Sequence, residues 1–122
     1  MDENSAAAHD AAVARDLELL GLPPRDWTPG IAGPAGPALD VLVIGAGMCG
    51  IAAAAALMMK GVRKLAVLDA ARPGFEGPWR TTARMLTLRS PKHLPGIALG
   101  VPSLTFRAWY TARRGQAAWD GL

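Results

Sequence analysis

A glycine-rich turn at residues 45–50 constrains this chain more than any other feature of its 122 residues. The ten residues VLVIGAGMCG begin with a short apolar run, Val41–Ile44, and continue into Gly45, Gly47 and Gly50. In a GxGxxG turn the first glycine permits the tight turn off a strand, and the second lets the backbone approach a pyrophosphate. The third lets the next helix pack close to the strand. The spacing therefore predicts a strand, a phosphate-binding turn and a helix.

The residues on both sides of the turn agree with this prediction. Residues 41–44 are rich in β-branched side chains, as expected for a parallel strand covered on both faces. Residues 51–60 are dominated by alanine, so their propensity favours a helix that Gly61 ends. Residues 64–68 predict a second strand with Asp69 at its end. Asp69 follows Gly50 by 19 residues, close to the ~20 that precede a ribose-binding carboxylate. The alternative is an ordinary strand–helix–strand unit without a ligand.

The uncharged stretch 41–59 is long enough to suggest a membrane span. Three glycines disfavour a continuous helix there, since each costs about 1 kcal/mol relative to alanine. We therefore predict no membrane span, and the acidic N-terminus gives no sign of a signal peptide.

The single cysteine, Cys49, favours a reducing, cytoplasmic location. One Cys and two distant His residues do not match zinc or iron–sulfur spacings, so we predict no metal site.

The charge of the chain is distributed unevenly. Residues 72–122 contain eight Lys or Arg and two acidic residues, whereas residues 1–71 contain five and eight. An excess of positive charge favours anionic partners, such as cofactor phosphates, nucleic acid or an acidic protein surface. Because there is no nucleic-acid motif and no compact basic run, we predict no nucleic-acid binding.

The remaining segments predict a helix, a linker and a less regular second half. Ser5 is a candidate cap for a helix over residues 6–20 that stops at Gly21. Residues 23–38 are rich in Pro and Gly and predict an extended linker, which Trp27 anchors on the main body. Residues 81–88 have mixed strand-like character, and residues 105–114 predict a helix stopped by Gly115.

These segments predict an α/β chain with two parts. Residues 1–38 form an N-terminal helix and a Pro/Gly-rich linker, and residues 39–122 form an incomplete Rossmann-like unit of the strand–helix–strand type. One such unit buries too little apolar surface to stand as a doubly wound domain. We therefore expect the chain to be the N-terminal piece of a longer protein.

Two motifs resemble a known family of flavoproteins. The GxGxxG turn, continued through Gly61 to Asp69, resembles the FAD-binding N-terminus of two-dinucleotide flavoproteins. Residues 74–79, GFEGPW, are similar to the glycine–x–tryptophan loop of flavin-containing and Baeyer–Villiger-type monooxygenases, where the loop runs past the flavin. Glu76 stands where that family usually has a glycine. Arg84 follows Trp79 at a spacing one residue longer than usual.

The resemblance implies a FAD-dependent monooxygenase, reduced by NAD(P)H and acting through a flavin hydroperoxide. It implies that the glycines hold the pyrophosphate, that Asp69 holds the ribose, and that Trp79 and Arg84 lie near the flavin or the nicotinamide. A packing role for Trp79 and a surface ion pair for Arg84 are the alternatives. The small-molecule substrate would bind to the rest of the longer protein, and no residue is identified as catalytic.

The candidate cofactor-binding residues all lie in the turn, at the second strand end or in and after the tryptophan loop. They are Gly45, Ala46, Gly47, Met48, Cys49, Gly50, Asp69, Trp79 and Arg84. Two other functions remain open at this point. An NAD-dependent dehydrogenase uses the same kind of turn, and a non-catalytic dinucleotide-binding fragment needs only the turn and its strands.

Overall fold

The computed structural model of the chain describes residues 3–87 and 90–122. The chain forms two compact units, which we call the helical unit (Met1–Leu22 with Thr87–Leu122) and the sheet unit (Pro23–Leu86). In chain order the elements are α1 (Glu3–Leu19), β1 (Ala32–Gly33), β2 (Gly36–Pro37), β3 (Val41–Ile44), α2 (Met48–Met59), β4 (Leu65–Leu68), a 3₁₀ turn (Pro102–Leu104), α3 (Phe106–Arg114) and α4 (Gln116–Asp120). The predicted division of the chain at residue 38 stays a prediction.

The sheet unit is built on two parallel strands joined by a helix. Strand β3 pairs with β4 in parallel, with Val41 opposite Leu65 and Ile44 opposite Leu68. Helix α2 connects them and packs on both strands. The strands and the helix predicted around the glycine turn are therefore confirmed, with α2 beginning three residues earlier than predicted. The helix starts at the turn itself because Gly47 already adopts the extended conformation of a cap residue.

The two faces of this small sheet differ in burial. Val43 faces α2, because a Cβ at Gly50 in that helix would lie 3.5 Å from its Cγ1. The alternate residues of β3, Leu42 and Ile44, are 49% and 84% exposed. Leu68, opposite Ile44 in the register, is 57% exposed. Since side chains alternate along a strand, one face of the sheet packs on α2 and the other presents apolar side chains.

Residues 23–38 form part of the sheet unit and contain a short antiparallel hairpin of β1 and β2. The prediction of an extended linker is therefore wrong for residues 32–37. Trp27 does anchor this segment, since its indole Nε1 donates to the carbonyl of Lys60 at 2.7 Å. At the base of the strands the ammonium of Lys64 bonds the Asp40 carboxylate at 3.3 Å and the Thr28 hydroxyl at 3.2 Å. These contacts hold the segment against the C-terminal end of α2 and the start of β4.

The helical unit packs α1, α3 and α4 around a small core. Val101 is fully buried and Trp119 of α4 is 5% exposed. The rings of Phe106 and Tyr110 in α3 lie 5.9 and 6.1 Å from that of Trp119. The Asp16 carboxylate of α1 accepts the N–H of Ser103 at 2.9 Å, which ties α1 to the 3₁₀ turn.

The ends of α1 correct one prediction and confirm another. Ser5 is not the cap, because α1 begins at Glu3 and Ser5 lies in its first turn. The alanine-rich sequence that follows has high helix propensity and carries the helix toward the N-terminus. Gly21 does end the helix in a left-handed conformation, with φ of +63°. The N–H groups of Gly21 and Leu22 bond the carbonyls of Glu18 and Leu17, which is a Schellman motif.

The strand-like character predicted for residues 81–88 is wrong for residues 81–87, and Leu88 lies outside the described residues. The N–H groups of Thr81, Thr82 and Ala83 all point to the carbonyl of Pro78, at 2.8–3.2 Å. Donors used in such a local turn cannot join a sheet ladder. Further along, α3 agrees with the predicted helix, and Thr105 caps it by accepting the N–H of Ala108 at 3.2 Å.

The most apolar helix of the chain is α2, which has 12 residues. A helix of that length spans roughly 18 Å, short of the ~30 Å hydrocarbon core of a bilayer. Over residues 3–87 and 90–122, none of the helices has both the length and the apolar character needed to cross a membrane.

Candidate functional site

The turn between β3 and α2 is held by its backbone. Gly45 has a φ of +105°, a region that residues with side chains rarely adopt. Its N–H donates to the carbonyl of Leu68 at 2.7 Å, which continues the parallel ladder one step beyond the strands. The chain then reverses, and α2 begins when the N–H of Ile51 bonds the carbonyl of Gly47 at 3.0 Å. The first glycine of the motif thus makes the turn.

Gly50 lies where the first turn of α2 meets the strand. A Cβ at this position would overlap the carbonyl oxygen of Gly45 and lie 2.9 Å from its carbonyl carbon. Both atoms belong to the backbone and cannot move aside without distorting the turn. The third glycine therefore permits close packing of the helix on the strand, as the spacing predicts.

Gly47 is different, because no neighbouring protein atom requires a glycine there. Its φ is −68°, which any residue adopts, and a Cβ would make an ordinary contact of 3.5 Å with the Cα of Gly77. Gly47 also lines a cavity, so the space on that side of its backbone holds no side chain of its own. A glycine that the protein itself does not need leaves room for another molecule to approach the backbone.

The N-terminus of α2 opens onto this space. In the described part of the chain no side chain caps this helix end, and its first turn has no acidic residue. The first N–H groups of a helix lack partners within the helix and carry its positive dipole end. Such an end is suited to bind a phosphate group.

Asp69 lies beside the turn, at the end of β4. Its carboxylate accepts the N–H of Ala71 at 2.7 Å with Oδ1 and the N–H of Ala46 at 2.6 Å with Oδ2. These two hydrogen bonds, the one from Ala71 first, lower the pKa of Asp69 below its ordinary value of 3.8. The group is therefore a carboxylate at neutral pH. A carboxylate can accept about four hydrogen bonds, so two positions remain for hydroxyl groups.

A cavity of about 430 Å³ adjoins the turn. Its walls come from the end of β3, the glycine turn, the first residues of α2 and the tryptophan loop. The residues are Ile44, Gly45, Gly47, Met48, Cys49, Gly50, Pro78 and Trp79. The side chain of Trp79 is half exposed, and the thiol of Cys49 is free and exposed. Five turn residues and Trp79, all predicted from the sequence, therefore meet at one cavity.

The other predicted residues are placed differently. Ala46 and Asp69 contact each other beside the turn rather than lining the cavity. Arg84 is exposed and is not among the described residues that line it. Sequence analysis did not identify Pro78 and Ile44 as lining residues. Their signal was adjacency, since each is next to a residue that the motifs did indicate.

In the tryptophan loop, residues 74–79, Glu76 has a structural role at the position where the resembling family usually has a glycine. The carboxylate of Glu76 accepts the N–H of Gly74 at 2.8 Å, so this side chain closes the loop where the family has a glycine. The guanidinium groups of Arg72 and Arg80 lie 3.8 and 4.9 Å from the ring centroid of Phe75. The loop is thus fixed by its own side chains. It brings Gly77 against Gly47, which places Trp79 at the cavity.

The described side chains do not form a metal site. No group of three or more His, Cys, Asp or Glu side chains is placed to hold a metal ion among residues 3–87 and 90–122. The cavity presents main-chain groups, the Cys49 thiol and the Trp79 indole ring, and the Asp69 carboxylate lies beside the turn.

Comparisons with known proteins identify the family of the chain. The sequence profile of a family described as FAD-NAD(P)-binding matches residues 42–121. The FAD-dependent urate hydroxylase of Xanthomonas campestris pv. campestris is 47% identical over 118 residues, which are 97% of this chain and 25% of that protein. The chain therefore spans about a quarter of the length of this relative. No solved structure matches the chain.

The matched range begins in β3 and includes the glycine turn, Asp69 and the tryptophan loop. The prediction of a FAD-binding flavoprotein segment, made from the glycine turn and its spacing to Asp69, is therefore confirmed at the level of the family. On this match the chain belongs to the FAD/NAD(P)-binding family.

Proposed function

We propose that the sheet unit binds the pyrophosphate and the adenosine ribose of FAD as part of a FAD-dependent oxidoreductase, and that it is the start of a Rossmann-like fold. The single observation that carries this proposal is the arrangement of Gly47 and Asp69 around the N-terminus of α2. The helix end is uncapped by side chains, Gly47 lines the cavity without a side chain, and the Asp69 carboxylate accepts the N–H of Ala46 at 2.6 Å.

The residues present fit a dinucleotide in distinct ways. The main-chain N–H groups at the start of α2 would bind the pyrophosphate, with Gly47 giving the phosphates access. Asp69 would accept the two ribose hydroxyls with the acceptor positions that Ala46 and Ala71 leave available. A carboxylate here favours a free 2′-hydroxyl, because it repels a 2′-phosphate.

The tryptophan loop would limit the access of water to the cofactor. Trp79 presents a half-exposed apolar ring at the cavity, beside Pro78. An apolar wall next to the phosphate turn keeps solvent from one side of the cleft and strengthens electrostatic contacts inside it. Arg84 is not part of this wall, and we assign it no role in binding the cofactor.

When bound, FAD supplies the redox chemistry that accepts electrons from a reduced nicotinamide and passes them to oxygen. The relative is named a urate hydroxylase, and on this basis we propose that the complete protein hydroxylates urate or a related planar heterocycle. Because the chain spans a quarter of that relative, binding of substrate and of NAD(P)H is assigned to the rest of such a protein.

The test is a titration of the ¹⁵N-labelled chain with FAD, followed by the amide resonances of residues 45–50 and 69. These resonances should shift in a saturable manner. In Gly47→Ala, affinity should fall by roughly tenfold or more, because a methyl group then occupies the place of a phosphate that accepts strong hydrogen bonds. Gly30→Ala, in the same unit but outside the cavity, is the matched control and should keep the affinity, because a Cβ at Gly30 would meet no atom within 4 Å.

Two results would speak against the proposal. An unchanged affinity of Gly47→Ala for FAD would mean that the phosphates do not bind at this turn. Saturable binding of NAD⁺ without binding of FAD would favour an NAD-dependent dehydrogenase. Binding of FAD without oxidation of NAD(P)H is the expected behaviour of this chain alone, since binding of NAD(P)H is assigned above to the rest of such a protein.

A further inference from the structure

A second cavity, of about 270 Å³, lies in the helical unit, away from the glycine turn in sequence. It is formed by residues 92–95, by Thr105 and Arg107 at the start of α3, and by Trp119 of α4. We call it the basic pocket. None of its residues has a role in the function proposed above.

Lys92 stands in the wall of the basic pocket with its position fixed by the backbone. Its ammonium donates to the carbonyls of Trp119 at 2.8 Å and Asp120 at 3.2 Å, the last residues of α4. It also lies 5.4 Å from the centroid of the Trp119 ring. An ammonium has three N–H donors, so one remains for a ligand. The charge of this group is retained, because carbonyl groups do not neutralise it.

Arg107 supplies a second cation with more free donors. Its guanidinium carbon lies 5.7 Å from the centroid of the Trp119 ring, so Lys92 and Arg107 share this ring as a support. Among the described residues no hydrogen bond is formed by the Arg107 side chain, and its fork can therefore bind a carboxylate through two parallel bonds.

The pocket has no negative charge to balance these cations. Among its described lining residues none is acidic, and His93 is a further polar donor. The carboxylate of Asp120, the residue after Trp119, is not in the lining and accepts the side-chain amide of Gln116 at 2.7 Å. The first turn of α3, where Thr105 and Arg107 lie, adds the positive end of a helix dipole. Two side-chain cations therefore line the pocket without an acidic side chain among its described lining residues.

The rest of the wall is apolar, and the volume limits the ligand. Leu94, Pro95 and the Trp119 ring form the part of the pocket that carries no charge. The volume of about 270 Å³ admits a small organic molecule. A bare inorganic anion would leave this apolar wall uncovered.

We propose that the basic pocket binds a small planar organic anion. Its negatively charged oxygens would pair with Arg107 and Lys92, and its body would lie against Leu94, Pro95 and the edge of Trp119. This site is independent of the FAD site, and binding here does not require that the chain bind a flavin.

The experiment is a titration of the ¹⁵N-labelled 122-residue chain with benzoate at constant ionic strength. Saturable shifts are expected for the amides of residues 92–95 and 107 and for the indole resonance of Trp119. Benzamide, which has the same shape without the charge, should give no saturable shift at these residues. Inorganic phosphate should bind more weakly than benzoate, since it makes no apolar contact.

Arg107→Gln and Arg114→Gln are the matched variants, because both remove one exposed positive charge from α3 and only Arg107 lines the pocket. Benzoate affinity should fall by roughly tenfold or more in Arg107→Gln, the loss expected for hydrogen bonds between charged groups, and stay unchanged in Arg114→Gln. An unchanged urea denaturation of Arg107→Gln, relative to the parent chain, shows that the helical unit is intact in this variant. Absence of saturation with benzoate, equal binding of benzamide, phosphate binding as tight as benzoate, or equal losses in both variants would each overturn the proposal.

Discussion

Asp69 accepts the backbone N–H of Ala46 at 2.6 Å, and this contact joins the end of β4 to the turn that follows β3. The two strands are already parallel neighbours, with Ile44 opposite Leu68. The carboxylate adds a charged hydrogen bond just beyond the last pair of the ladder. The same side chain that we assign to the ribose therefore also supports the turn that we assign to the phosphates. Its protonation and its replacement should report on both.

The first prediction concerns the pH dependence of this contact. The N–H groups of Ala71 and Ala46 lower the pKa of Asp69 in the folded chain below 3.8. Because the pKa of Asp69 is lower in the folded chain than in the unfolded chain, the carboxylate stabilises the fold at pH values above the unfolded pKa. This stabilisation is lost as the pH falls through the folded pKa. The amide resonance of Ala46 should therefore titrate with a midpoint below 3.8. Asp69→Asn should abolish this titration.

Asp26→Asn is the control for this experiment. Asp26 lies in the same unit, and the Thr28 hydroxyl and N–H likewise lower its pKa. Its replacement should change the pH profile of Thr28 and leave that of Ala46 as it was. A midpoint for Ala46 above 3.8, or a titration that persists in Asp69→Asn, would mean that the Asp69–Ala46 bond does not form in solution.

The second prediction separates the ribose from the rest of the cofactor. Asp69→Ala should lower the affinity for FAD by roughly tenfold or more, since hydrogen bonds to a charged acceptor contribute about 1.5–3 kcal/mol each. FMN lacks the adenosine ribose, and its affinity should change little. Both affinities are measured by titration of the labelled chain. Equal losses for the two flavins would place the effect in the turn and not at the ribose.

The third prediction compares two glycines of the motif in the absence of cofactor. Gly50→Ala places a methyl group on the backbone of Gly45, and should reduce the free energy of unfolding of the sheet unit by about 3 kcal/mol or more. Gly47→Ala makes an ordinary contact with Gly77, and should cost less than about 1 kcal/mol. Urea denaturation followed at amides of residues 41–68 measures both. A similar cost at the two positions would contradict the packing described here.

The fourth prediction concerns the apolar face of the sheet. Ile44 is 84% exposed beside Leu42 and Leu68, and exposed apolar patches favour association. Ile44→Thr should reduce concentration-dependent association in sedimentation velocity, without loss of stability. Val43→Thr, one residue earlier, faces α2 and should instead cost roughly 1 kcal/mol or more in unfolding free energy. If both variants associated as strongly as the parent chain, this face would not be the surface responsible.

The fifth prediction tests the anchor of residues 23–38. Trp27→Phe removes the 2.7 Å hydrogen bond to the Lys60 carbonyl, and should cost about 1 kcal/mol of unfolding free energy. Faster hydrogen exchange is expected at residues 27–38. Trp79→Phe is the comparison, because Trp79 is a half-exposed tryptophan of the same unit for which no indole hydrogen bond is formed with the described residues. It should leave the stability nearly unchanged, and an equal cost in both variants would argue against the anchor.

Local sequence signals were sufficient to predict the strand, turn and helix around Gly45 and the carboxylate at residue 69. These features depend on backbone conformation and on side-chain type over short distances, and both are readable from spacing. The helix stops at Gly21 and Gly115 belong to the same class, since each is decided within one helical turn.

Features that depend on contacts between distant residues were not predictable in this way. The approach of Gly77 to Gly47 joins residues 30 apart, and Lys60, the unpredicted partner of the anchor Trp27, lies 33 residues from it. The turn over residues 81–83 looked like a strand because threonine favours strands, but the Pro78 carbonyl collects its N–H groups. The role of Glu76 required the loop geometry, since a carboxylate there reads equally well as solvated surface.

The donors at the N-terminus of α2 are main-chain N–H groups, and this determines which residues of the site can change among related sequences. A replacement at Met48 or Cys49 alters the wall of the cavity and leaves those donors in place. Substitutions at these two positions can therefore change the side chains next to the cofactor. The hydrogen bonds from the main-chain N–H groups to the phosphates are kept. Tolerance at 48 and 49, next to intolerance at 45 and 50, is the mutational pattern that such a backbone-built site imposes.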